Sequence, residues 1–165
     1  MKMINKFEGE YRFLSNFHVA DVEFEGEIYP SSEHAFQAAK TLDKKKREKI
    51  RKAEHPSEAK RLGKPKNLEL REDWEEVKTA IMFKIVHNKF QRHPELAQKL
   101  MDTHPAELIE GNWWHDTCWG VCNGVGENRL GHILMLVRHL LLLQRITGIL
   151  PPVNFNETFL GIKEE

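Results

Sequence analysis

The sequence predicts a mainly helical α+β domain with a small antiparallel β element near its N-terminus, on three observations. Helical periodicity and capping signals recur between Ser32 and Gln144. Strand-like alternation is confined to the first thirty residues. No linker, internal repeat or low-complexity segment divides the chain, so its 165 residues are expected to form one domain, 1–165, with a core over about 4–146 and a C-terminal tail, 147–165.

The β element comes first. Val22, Phe24 and Ile28 alternate with acids around Glu25-Gly26, a plausible two-residue hairpin turn. Before it, Tyr11-Arg12-Phe13-Leu14-Ser15-Asn16-Phe17 is an aromatic-rich piece ending in polar turn formers. Pro30 cannot extend a strand interior, and Ser31 or Ser32 can cap the helix predicted over 32–41. A second, strongly basic helix over 43–54 is capped by Asp43. A short third helix, His55 to Gly63, has Pro56 near its start and Gly63 past its end.

A longer helix starts near Asp73, where Asp73 and Glu76 have capping-box spacing and Trp74, Val77, Ile81 and Ile85 point inward. Pro94 opens another, with Leu96, Leu100 and Met101 on its apolar face. Ala106 to Glu110 reads as a brief strand, and Gly111 to Gly126 as a loop rich in Trp, Gly, Asn and Cys. The final helix runs from about Asn128 to Gln144 with Leu130, Ile133, Leu134, Val137 and Leu141 facing the core, and Gly148 and Pro151-Pro152 end it.

Charge is balanced, 25 basic against 25 acidic residues, so nothing global argues for nucleic acid or membrane. Residues 40–66 nevertheless hold twelve of the Lys and Arg against four acids. That surplus suits a phosphate-bearing ligand, and equally a solvated helix face. Met1 to Lys6 lacks the features of a signal peptide. The apolar run Ile133–Leu143 is broken by Arg138 and His139 and is too short to cross a bilayer. A cytoplasmic chain is expected, and the two cysteines, Cys118 and Cys122, suit a reducing compartment.

Chemistry concentrates on the first helix. At about 100° per residue, Glu33, Gln37 and Lys40 form one stripe carrying a carboxylate, an amide and an amine. That is equipment for acid/base or carbonyl chemistry, and it is also compatible with a solvated face. His34 lies on another side of the helix and is expected to be a core histidine bonded to the backbone. Leu14-Ser15-Asn16-Phe17 suits either a base- or sugar-binding turn or a plain turn with buried flanks. Trp113, Trp114 and Trp119 in one loop stack on a ligand or on the core. His115, Cys118 and Cys122 have neither zinc-knuckle nor deaminase spacing, so no metal and no cofactor is predicted.

Read in order, these segments resemble the YbiA-like (NADAR) N-glycosidases. The signature is Phe13-Leu14-Ser15-Asn16-Phe17 followed by Tyr29-Pro30-Ser31-Ser32-Glu33-His34-x-Phe36-Gln37-x-x-Lys40. Pro56-x-x-Ala59-Lys60-x-Leu62-Gly63, Trp74-x-x-Val77, Lys89-Phe90, Leu108-x-Glu110 and Asp116-x-x-Trp119-Gly120 continue it, and Gly126-x-Asn128-x-Leu130-Gly131-x-x-Leu134-Met135-x-x-Arg138 completes it.

The resemblance implies hydrolysis of an N-glycosidic bond to a phosphorylated ribose or ADP-ribose, as in ribosylamino-pyrimidine intermediates of riboflavin synthesis or ADP-ribosylated guanine. It implies Glu33, Lys40 and Asp116 as catalytic residues, and Arg12, Ser15, Asn16, Gln37, Trp119 and Asn128 as pocket lining. Lys60 and Arg61 are implied phosphate contacts. The expected partner is a small-molecule conjugate, with ADP-ribosylated nucleic acid as a further class and no membrane. Val121 after Trp119-Gly120 and the bulky Asn112-Trp113-Trp114-His115 depart from the family pattern. They leave a catalytically inactive nucleotide- or ADP-ribose-binding module as the alternative.

Overall fold

A computed structural model describes residues 2–149. In chain order it has strand β1 (Met3–Ile4), a 3-10 helix (Gly9–Leu14), strands β2 (Val19–Phe24) and β3 (Glu27–Ser31), and helices α1 (Ser32–Ala39), α2 (Lys44–Arg51), α3 (Pro56–Leu62), α4 (Trp74–Arg92) and α5 (Pro94–Asp102). Strands β4 (Glu107–Leu108), β5 (Gly111–Asn112) and β6 (Val121–Cys122) precede helix α6 (Arg129–Thr147). The expected mainly helical α+β class is what the structure contains. Its described residues cluster into two compact units, one from Asn16 to Arg92 and one joining the residues up to Ser15 with those from His93 onward.

The Asn16–Arg92 unit is organised around α1, which touches α2, α3, α4, β2 and β3. All eight residues of α1 are buried. Alanines at 35, 38 and 39 let its neighbours approach closely, and Phe36 meets Trp74 with ring centroids 5.1 Å apart. Ser31 is the N-cap, its hydroxyl accepting from the His34 amide. Asp43 caps α2 as expected, accepting from the Lys45 and Lys46 amides.

The hairpin turns at Glu25 and Gly26, both at positive φ (52° and 83°), the geometry that suits right-twisted strands. Its register pairs Val22 with Tyr29, so Tyr29 is buried on the inward face and Ile28 is 42% exposed, not inward. Strand β2 also packs on α4. Val77 on α4 is only half-buried. At the start of α4 the Asp73 carbonyl accepts from the Glu76 and Val77 amides, and its carboxylate is engaged by the Arg71 guanidinium at 2.5 and 2.8 Å.

In the second unit, α5 packs on α6, and α6 on β4. Leu96, Leu100, Leu108, Leu130, Ile133, Leu134, Val137 and Leu141 are among its buried apolar side chains, while Met101 is half-buried. The brief strand expected over 106–110 is β4, running parallel to β1. Parallel strands β5 and β6 lie within the stretch expected to be loop. Helix α6 begins at the expected place and ends on Gly148 in the left-handed region (φ 69°). At 19 residues it has the length and composition to cross a bilayer, unlike the shorter run read from sequence. Its Arg138 is buried and donates to Thr103 Oγ1 and the Ala106 carbonyl, both at 2.8 Å. The C-terminal stretch from 150, with Pro151-Pro152, lies outside the described residues.

Candidate functional site

The Asn16–Arg92 unit brings together Asn16, Glu33, Gln37, Lys40 and Lys60. Glu33 sits in the first turn of α1, where its backbone amide donates to the Asn16 carbonyl at 3.0 Å. The Asn16 side-chain amide is directed at Met82 Sδ, 3.3 Å away. A carboxylate in the first turn of a helix is favoured by the helix dipole. Glu33 is nevertheless 6% exposed, and a buried carboxylate needs specific partners. One is Gln37, whose Nε2 donates to Glu33 Oε1 at 2.8 Å. Gln37 Oε1 is buried without a hydrogen-bond partner.

One turn further, Lys40 is the C-cap of α1. Its ammonium donates to the Gly63 carbonyl at 3.4 Å and lies 5.8 Å from the Phe36 ring centroid. Burial pushes the Lys40 amine below its ordinary range; the Glu33 carboxylate pulls it back up and Lys60 pushes it further down. Lys60 is exposed on α3, with its ammonium 5.5 Å from the Phe17 ring centroid. Arg61 is also exposed and pairs with Glu58 at 3.4 Å. The stripe is therefore a buried carboxylate, an amide and a partly desolvated amine, and the solvated-face reading of α1 is excluded.

His34 takes the core role expected of it. It is 1% exposed, with Nε2 3.1 Å from the Ala53 carbonyl and Nδ1 2.7 Å from Ser31 Oγ. Three more of the twelve cations of 40–66 pair with acids: Arg47 with Glu25, Arg51 with Glu48 and Glu27, and Lys52 with Glu48.

The remaining candidates belong to the other unit. Arg12 is exposed on the 3-10 helix, and the buried Ser15 donates its amide to the Arg12 carbonyl at 3.0 Å. Asp116 is half-buried, and its Oδ1 accepts from the backbone amides of Cys118 and Trp119 at 3.1 and 2.8 Å. Asn112 and Asp116 clamp the intervening Trp113-Trp114-His115 reciprocally: Asn112 Nδ2 donates to the Asp116 carbonyl and Asn112 Oδ1 accepts from the Asp116 amide. Outside that clamp Trp113 stands 81% exposed, and His115 adopts positive φ (62°).

Trp119 is half-buried. Asn128 is buried, with both ends of its amide bonded to backbone, Oδ1 to the Glu110 amide and Nδ2 to the Leu108 carbonyl. His115 Nδ1 lies 3.8 Å from Cys122 Sγ. Among the described residues no group of three or more His, Cys, Asp or Glu side chains forms a metal site.

Sequence reasoning gave Asn112 and Gly63 no part in the site. Asn112 stands four residues before Asp116, the spacing of a reciprocal loop clamp, and that was the available signal. Gly63 reads as an ordinary helix C-terminus, and its contact with Gln37 has no counterpart in the pattern.

The NADAR domain family matches residues 4–142. An N-glycosidase YbiA from Shigella flexneri serotype 5b is 42% identical over 137 residues, covering 82% of this chain and 85% of that one. A riboflavin biosynthesis protein of Vibrio vulnificus is 39% identical over 127 residues, 76% of this chain but 34% of its own length. The solution structure of Escherichia coli YbiA superposes with a TM-score of 0.81 at 39% identity, covering 88% of each chain. The chain belongs to the YbiA-like (NADAR) N-glycosidase family, hydrolases of N-glycosyl bonds.

Proposed function

We propose that the bond hydrolysed joins a heterocyclic or amine nitrogen to C1 of a phosphorylated ribose or of ADP-ribose, with ribosylamino-pyrimidines and ADP-ribosylated guanine as the substrate classes. The carrying observation is the buried Glu33 carboxylate, held by Gln37, on the helix that also bears an amine of lowered pKa. An amine that loses its proton more readily is a better nucleophile near neutral pH.

In this reading the Lys40 Nζ lone pair forms a bond to C1 as the C1–N bond to the base breaks. The base leaves with that electron pair and takes the proton of Glu33, which enters this step as the neutral carboxylic acid. Ring opening moves a proton from the Lys40 nitrogen to the ribosyl oxygen and yields a C1=N imine with Lys40, and the later hydrolysis returns a proton to Glu33. Water then adds to C1, the amine is expelled, and the free sugar closes again. Asp116 is the second carboxylate that the family resemblance suggests, and its Oδ1 accepts from the amides of Cys118 and Trp119. Lys60 and Arg61 are proposed to meet the phosphate.

Hydrolysis of a panel of ribosylamino-pyrimidine phosphates and ADP-ribosylated guanine by the wild-type chain and Glu33→Gln tests the reading. Product release by wild type, lost in the variant, is expected. Binding of ADP-ribose with no turnover of any conjugate would favour the inactive binding module. Borohydride during turnover reduces an imine to a stable amine, so an adduct at Lys40 is expected. Turnover without an adduct favours a two-carboxylate hydrolysis through an oxocarbenium-like transition state.

A further inference from the structure

We propose that Gly63 is a positioning residue of this site: the space left by its missing side chain seats the Gln37 carboxamide on Glu33, and its carbonyl anchors the Lys40 amine. The inference rests on the proposed roles of Glu33 and Lys40. Gly63 sits at the C-cap of α3 with φ −79° and ψ 6°, a conformation open to any residue. Backbone freedom therefore does not account for glycine there.

Space does. A Cβ at this position would fall 2.0 Å from Gln37 Oε1, 2.8 Å from its Cδ and 2.9 Å from its Cβ. Turning the carboxamide away relieves the first two contacts but not the third, because the Gln37 Cβ is set by the backbone of α1. A side chain at 63 must therefore push the end of α3 off α1 and also displace the Gln37 carboxamide.

The orientation of that carboxamide is itself informative. Gln37 Oε1 is buried with no hydrogen-bond partner, an arrangement that is ordinarily unfavourable. Flipping the amide would set its oxygen against Glu33 Oε1, 2.8 Å away, acceptor to acceptor. The amide thus keeps an orphaned oxygen in order to present its N–H to the carboxylate, and the bare Cα of Gly63 leaves room for that oxygen. The Gly63 carbonyl, 3.4 Å from Lys40 Nζ, ties the amine to the same point. One residue thereby governs the placement of two of the three proposed catalytic groups.

Side-chain 13C NMR titration of the glutamate carboxyls in the full chain tests this without any substrate, so it stays readable if the glycosidase reading fails. Glu33→Gln identifies the resonance. Gly63→Ala is expected to raise the Glu33 midpoint by about one pH unit, the size of one charge-assisted hydrogen bond, as Gln37→Leu should. In the Gln37→Leu background, Gly63→Ala should add little, because the two changes act through one contact. A folded Gly63→Ala whose Glu33 midpoint is unchanged overturns the proposal. Should Gly63→Ala fail to fold, Gly63→Ala/Gln37→Gly decides, with Gln37→Gly alone as control. Restored cooperative unfolding supports a clash with the Gln37 side chain, and no restoration against a folded control overturns it.

Discussion

His34 Nε2 lies 3.1 Å from the carbonyl oxygen of Ala53, nineteen residues further along the chain. A carbonyl can only accept, so Nε2 carries the proton and Nδ1 is left to accept from the Ser31 hydroxyl at 2.7 Å. One imidazole thus fixes the start of α1 against the segment that follows α2, and it is neutral when it does so.

This predicts a pH dependence of stability. Burial holds the pKa values of His34 and of His87, which lies on α4 stacked against Phe83, below 6.5, so below that pH the unfolded chain binds more protons than the folded one. The stability these groups contribute is complete above 6.5 and declines as pH falls towards their depressed folded values. Urea midpoints at descending pH should fall in that window. His34→Gln should lower stability by about 1–3 kcal/mol at pH 7.5 and flatten part of the slope.

The amine of Lys40 should appear in the rate profile. With imine chemistry kcat/KM rises with pH along a limb below the ordinary 10.5, because burial and Lys60 both disfavour the ammonium. Lys60→Gln removes a like charge and should move that limb to higher pH. Lys60 is exposed, so the displacement should shrink as salt rises.

Gln37→Leu takes the donor from Glu33 while keeping the apolar part of the contact. A hydrogen bond to a charged group is worth about 1.5–3 kcal/mol, so kcat should fall by roughly 10- to 100-fold with little change in KM. Steady-state kinetics of the variant checks this.

Arg138→Met should destabilise the chain by about 2–3 kcal/mol, because the Ala106 carbonyl and Thr103 Oγ1 lose their buried donor. Denaturant unfolding gives the difference directly, and the m-value should stay constant.

Much of this arrangement was legible because it rests on local rules. Positive φ at Glu25-Gly26, Ser31 and Asp43 as caps and the Glu33/Gln37/Lys40 stripe each follow from residue type and spacing over a few positions. Part of the rest is non-local. Strand β1 is two residues long and pairs with β4 across about a hundred residues of sequence, so no periodicity marks it. Two further differences are local: the alternation that grouped Ile28 with Val22 and Phe24 changes face across the turn, where Tyr29 opposes Val22, and Arg71 engages the Asp73 carboxylate from two residues away. The joint role of Gly63 depends on where α3 is delivered beside α1, a fact of packing with no local trace.

The enclosure of α1 on every side has an evolutionary corollary. The segment bearing the reactive groups is also the keystone of its unit, so drift there is penalised twice, through turnover and through foldability. Descendants that acquire new substrates should keep this segment nearly frozen and diversify at exposed positions such as Trp113, where an altered side chain disturbs an edge contact with Trp114 but no buried core.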